Sequence, residues 1–128
     1  MGLSQYDESF PFLAVNVLNN ASGTTPVSVV NAQPQQLHID AIRATSTCAA
    51  PYVLGVYLRT SGSNYRIGGI SIPANAGDGT VATVDVLAGM LAPIAGIALS
   101  NTWGIYVGVD TTITAPGTIT VSTYGGFI

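Results

Sequence analysis

His38 and Asp40 stand two positions apart in an apolar-polar alternation, so a strand at this point places the imidazole and the carboxylate on one face. A carboxylate so placed can orient a histidine base, and a nearby Ser or Thr would complete a nucleophilic site. Little else in the chain supports that chemistry. There is one histidine, one cysteine (Cys48) and six carboxylates, two of which, Asp7 and Glu8, lie close to the amino end. No nucleophile-elbow motif is present. Three or four metal ligands cannot be drawn from this inventory at usual spacings. Asn75-Ala76-Gly77-Asp78-Gly79 resembles part of a calcium loop but lacks the terminal acidic ligand, and reads as a tight turn. The glycines fall in turns and at alternate strand positions, not in phosphate-cradling motifs. The expectation is a protein that is not an enzyme and carries no cofactor or metal.

Aromatic side chains are the remaining handle for recognition. Tyr52, Tyr57, Tyr65, Tyr106 and Tyr124 could line a carbohydrate groove, or pack at a sheet surface or subunit interface. Trp103 falls in step with core positions and reads as structural.

The elements that must carry these residues are strands. Val, Ile and Thr are abundant, and 15 Gly and 7 Pro interrupt them at short intervals. Leu13, Val15 and Val17 share a face, as do Val27 and Val29, and Leu37, Ile39 and Ala41 lie opposite His38 and Asp40. Residues 52–59 are apolar on both faces, as in a central strand or one with a face under a neighbouring subunit. A hairpin loop at 60–64 follows, and a β-bulge at Gly68-Gly69 would keep Tyr65, Ile67, Ile70 and Ile72 on one face. Trp103, Ile105, Val107 and Val109 alternate cleanly, and so do Ile119, Val121 and Thr123 after a loop at 111–117. Only residues 83–91, around Val84, Leu87 and Leu91, suit a short helix. The pattern predicts an all-β fold: an antiparallel β-sandwich of jelly-roll or Greek-key type, with about eight strands and at most one short helix. Residues 1–11 form an amino-terminal arm and residues 12–128 a single domain.

Composition restricts the partners. Only 9 of 128 residues are charged, none of them lysine, against about a quarter in ordinary globular chains. A folded monomer of this mass exposes about 6,400 Å², so charges are sparse on the surface and other protein is expected to cover much of it. Net charge is −3, and Arg43, Arg59 and Arg66 are too few and too separated for a basic footprint, so direct nucleic-acid binding is not expected. The longest charge-free apolar stretch, residues 86–99, is short of a membrane span and is broken by Gly89, Pro93 and Gly96. The first residues show neither a secretory nor a myristoylation signal, Tyr6 standing where the latter needs Ser or Thr. A lone cysteine fits synthesis in a reducing compartment. Asn20-Ala21-Ser22 matches a glycosylation pattern that such a compartment would leave unused.

Several segments of the second half carry a family likeness: the apolar hairpin, then Ile72-Pro73-Ala74-Asn75-Ala76-Gly77-Asp78-Gly79-Thr80, a Leu-rich stretch, Trp103-Gly104-Ile105-Tyr106-Val107-Gly108-Val109, and Thr118-Ile119-Thr120-Val121-Ser122-Thr123-Tyr124-Gly125-Gly126. Over residues 52–126 this pattern resembles the small virion proteins of tailed bacteriophages that decorate or cement the head. The resemblance implies a β-sandwich homo-oligomer, a trimer above all, bound to the phage major capsid protein on the outer capsid surface after synthesis in the host bacterial cytoplasm. The alternative is a receptor- or carbohydrate-binding module of a phage tail or spike. For the interface, the expected residues are Leu3, Tyr6, Phe10 and Phe12 in and beside the arm, with Tyr57 and Tyr106 on the sheet.

Overall fold

The computed structural model describes residues 11–31, 36–87, 97–99 and 102–127, with no side-chain description for residues 11, 12, 97, 98 and 127. Nine strands follow in order: β1 (Pro11–Leu18), β2 (Val27–Val30), β3 (Leu37–Ser46), β4 (Tyr52–Thr60), β5 (Ser63–Ile72), β6 (Val84–Asp85), β7 (Ile97–Leu99), β8 (Gly104–Val109) and β9 (Ile119–Phe127). A 3-10 turn (Asn20–Ser22) separates β1 from β2, held by a reciprocal bond pair between Asn19 and Ser22.

One sheet has the order β1-β9-β3, with β6 and β7 both on the far edge of β3; the other has the order β2-β8-β4-β5. All pairings are antiparallel. The chain changes sheet at almost every connection, which is the jelly-roll arrangement. We call the sheet containing β1 the first and the other the second.

The core lies between the sheets and is built from the inward residues of each strand. Leu37, Ile39, Ile42, Ile119 and Val121 come from the first sheet, and Leu54, Val56, Ile72, Ile105, Val107 and Val109 from the second, all buried. β4 lies between β8 and β5, the central-strand alternative of the two that its two-sided apolar pattern allows. Trp103 packs against the core edge.

Three sequence expectations are corrected here. Ala41 does not share the inner face with Leu37 and Ile39. The register steps from Ile39 opposite Gly125 to Ala41 opposite Tyr124, so Asp40 is an extra residue and Ile42 and Ala44 turn inward instead. The bulge in β5 falls one residue earlier than Gly68-Gly69: Val56 faces Gly68 and Tyr57 faces Arg66, which leaves Ile67 as the extra, exposed residue while Ile70 and Ile72 keep the inner register. Of the expected helix at 83–91, Val84 and Asp85 pair with β3 as a strand, Val86 and Leu87 have helical backbone, and the rest lies outside the described residues. At the expected boundary between arm and domain, Pro11 pairs with Gly126 as the first residue of β1.

The topology also defines two ends. Leu37 pairs with both Phe127 and Leu99, and four residues separate Leu99 from Gly104, which faces Arg59. The end of β2, the start of β8 and the β4-β5 hairpin therefore meet at one end of the sandwich. The segments after β3 and before β9 meet at the other, where Thr47 donates to the Thr118 carbonyl.

Candidate functional site

The outer face of the second sheet carries two arginines, each held by a tyrosine ring and a hydrogen-bonded side chain. Three rows of side chains cross β8, β4 and β5 there. Tyr106, Tyr57 and Arg66 form one row; Gly108, Gly55 and Gly69 form the next; Asp110 and Val53 follow. Arg66 leaves the first row, crosses the glycine row and reaches Asp110 in the third. Its Nη1 and Nη2 donate to Asp110 Oδ1 and Oδ2 at 2.8 and 3.0 Å, and Nη1 also donates to the Tyr57 hydroxyl at 3.2 Å. This two-pronged geometry matches the planar guanidinium to the carboxylate.

The glycines make the crossing possible. A Cβ at Gly55 would stand 2.7 Å from Arg66 Nη1, and one at Gly69 would stand 2.8 Å from Nη2. Any larger residue at either position takes the space the guanidinium occupies. With the ion pair in place, Asp110 is held below the ordinary carboxylate pKa by the hydrogen bonds from Arg66, and Arg66 is raised above its own ordinary value.

The second arginine on this face is Arg59. Its guanidinium carbon lies 5.0 Å from the Tyr106 ring centre, and its Nη1 donates to Asn64 Oδ1 at 3.0 Å. Arg66 stands in the same relation to Tyr57, at 5.7 Å. Tyr57 and Tyr106, expected at an interface from sequence, are therefore cross-strand neighbours, each with an arginine over its ring. Beside Arg59 opens a hollow of about 330 Å³, whose walls include Asn31, Thr60, Ser61, Thr102 and Tyr106.

The structure does not gather the five tyrosines into a groove. Tyr52 lies at the opposite end, where its hydroxyl accepts from the Thr114 amide at 2.9 Å. Tyr65 is exposed near the β4-β5 hairpin, and Tyr124 is on the outer face of the first sheet. Leu3, Tyr6 and Phe10 lie outside the described residues; the backbone of Phe12 pairs with Gly125.

Comparison with known proteins gave no matching family model and no match among curated proteins. Among solved structures, the chain is similar to the Drosophila NLP core, described with pentamer formation and histone binding (13% identity, TM-score 0.46, 90% of this chain and 95% of that one). It is also similar to the nucleoplasmin-like amino-terminal domain of Drosophila FKBP39 (10%, 0.47, 96% of each). A third likeness is to the virus-like particle of the Macrobrachium rosenbergii extra small virus (8%, 0.38, 100% and 84%). At such identities and TM-scores no partner or activity passes from these proteins to this chain.

His38 and Asp40 do meet, with Nδ1 donating to Oδ1 at 2.7 Å; the His38 side chain is mostly buried and that of Asp40 about a third exposed. Asp78 is occupied by its own turn: Oδ1 accepts from the amides of Thr80 and Val81 and from the Thr80 hydroxyl, at 2.8 to 2.9 Å. These bonds hold its pKa below the ordinary value, and the turn reading of this segment stands. Asn20, in the glycosylation-like triplet, donates its side-chain amide to the Ile113 carbonyl at 2.8 Å. Cys48 is buried.

Sequence reading missed Arg59, Arg66, Asp110, Gly55 and Gly69 as a group. Part of the signal was available, since Gly55, Tyr57 and Arg59 alternate on one face of β4. The partners come from β5 and β8, and pairing them requires the bulge position in β5.

Proposed function

We propose that this chain is a structural virion protein that homo-oligomerises, as a trimer, and binds the major capsid protein lattice on the outer surface of a tailed-phage head. One observation carries the reading: on the outer face of the first sheet, the edge strand β1 presents a row of exposed aliphatic side chains where a free-standing sandwich would be polar. Leu13 and Val15 are each 68% exposed and Val17 51%, all on the edge strand β1, and Tyr124 lies across from Leu13. An edge strand carrying exposed aliphatic side chains, in a chain with so few charges, is suited to being covered by protein. The resemblance of residues 52–126 to head-decoration proteins supplies the kind of partner.

Energetics favour multiple contacts. Fully burying one Leu and two Val contributes roughly 1.5–3 kcal/mol each. Since these side chains are already partly covered, and association removes rotational and translational freedom, one patch gives a weak contact. Several linked patches in an oligomer raise effective concentration and give a firm one. With few ion pairs involved, binding should persist in salt that screens surface charges.

Sedimentation of the purified chain, together with its binding to capsids lacking it, tests the proposal. A stable oligomer that binds at 0.5 M salt is expected, with Val15→Asp weakening assembly while leaving the circular dichroism spectrum unchanged. A wild-type monomer that ignores capsids would refute it.

A further inference from the structure

We propose that the hollow beside Arg59 is a binding site for a carboxylate-bearing monosaccharide, of the uronic or sialic type. The site is on the sheet opposite the apolar β1 face, and the inference stands independently of the capsid reading.

The first support is the state of Arg59. The chain is acidic, yet among the described residues the arginine-carboxylate pair is Arg66 with Asp110, and Arg59 is held by Tyr106 and the neutral Asn64. One Arg59 nitrogen serves Asn64, and a guanidinium has five N–H groups. A ring on one side and an amide on the other fix its orientation before a ligand arrives. A planar carboxylate is the group that such a fork recognises best.

The second support is the lining. Around the guanidinium stand the hydroxyl-bearing residues Thr60, Ser61, Thr102 and Tyr106 and the amide of Asn31, with glycine at 62 and 104. A ligand with several hydroxyl groups matches these walls. An acidic peptide would instead need apolar surface or an open strand edge, and the strand residues of the lining, Arg59, Thr60, Gly104 and Tyr106, belong to the interior strands β4 and β8. The volume of about 330 Å³ is at the small end of ligand sites, which suits one sugar unit.

Titration of the full-length protein with glucuronate and with N-acetylneuraminate, followed by amide NMR shifts, provides the test. Saturable shifts at residues 60–62 and 104 are expected at millimolar ligand. Glucose and acetate, which supply only the hydroxyls or only the charge, should each bind at least tenfold more weakly. Arg59→Gln should weaken binding at least tenfold, and so should Thr60→Asp, which adds a repelling carboxylate without touching the arginine. Arg66→Gln should leave binding within twofold. The proposal fails if neither acidic sugar shifts these amides, if glucose or acetate matches them, or if a tri-glutamate peptide binds more tightly. Capsid binding by Thr60→Asp should stay at the wild-type level, which separates this site from the proposed capsid surface.

Discussion

Arg66 and Asp110 are separated by 44 positions in the chain and joined by two hydrogen bonds of 2.8 and 3.0 Å across the back of β4. The contact ties the bulged strand β5 to the segment that leaves β8, and the glycines at 55 and 69 are the floor beneath it.

Acid should weaken the fold partly through this pair. Asp110 has a lower pKa folded than unfolded, so its stabilising contribution is present above the unfolded value and lost as pH falls through the folded one. Asp78, lowered by the amides of Val81 and Thr80, acts in the same direction. In Arg66→Gln the Asp110 titration, followed by carboxyl carbon NMR, should move up toward the ordinary carboxylate value near 3.9. Melting near pH 7 should fall only slightly, because both side chains are about 40% exposed.

Gly55→Ala should reproduce that titration change with the arginine still present. The new methyl group takes the place of Nη1, and the end of a flexible side chain moves more readily than the backbone. A folded protein with the Asp110 pKa raised is the expected result. An unchanged Asp110 titration would show that Arg66 keeps its place.

Gly125→Ala should be far more damaging. A Cβ at this position meets the His38 carbonyl oxygen and lies 3.1 Å from Ile39 Cα, where β9 passes the Asp40 bulge. Both neighbours are backbone in the middle of a sheet. A loss of about 2–3 kcal/mol in denaturant unfolding is expected, and a loss below about 0.5 kcal/mol would contradict the tight approach.

Thr123→Val should stabilise. Thr123 is fully buried on the inner face of β9, and its hydroxyl has no hydrogen-bond partner. Replacing it with an isosteric methyl removes an unsatisfied polar atom, for a gain of about 1 kcal/mol. The urea midpoint should rise with an unchanged slope.

Alternation along the chain was enough to give an all-β sandwich and most strand positions, because side chains two apart must share a face in extended backbone. That is why Ile105, Val107 and Val109 on β8, and Ile119, Val121 and Thr123 on β9, are inward together. Alternation alone does not say which face turns inward. Leu13, Val15 and Val17 share a face as read from sequence, and sheet closure puts that face outside. Bulges were also hard to place, since one extra residue reverses every later side chain. The Asp40 bulge exchanged Ala41 for Ile42, and the one at Ile67 brought Arg66 level with Tyr57. The Arg66–Asp110 contact and the setting of Arg59 depend on strand order and register across three strands. Those are fixed only when two sheets pack on a common core, so tertiary structure alone decided them.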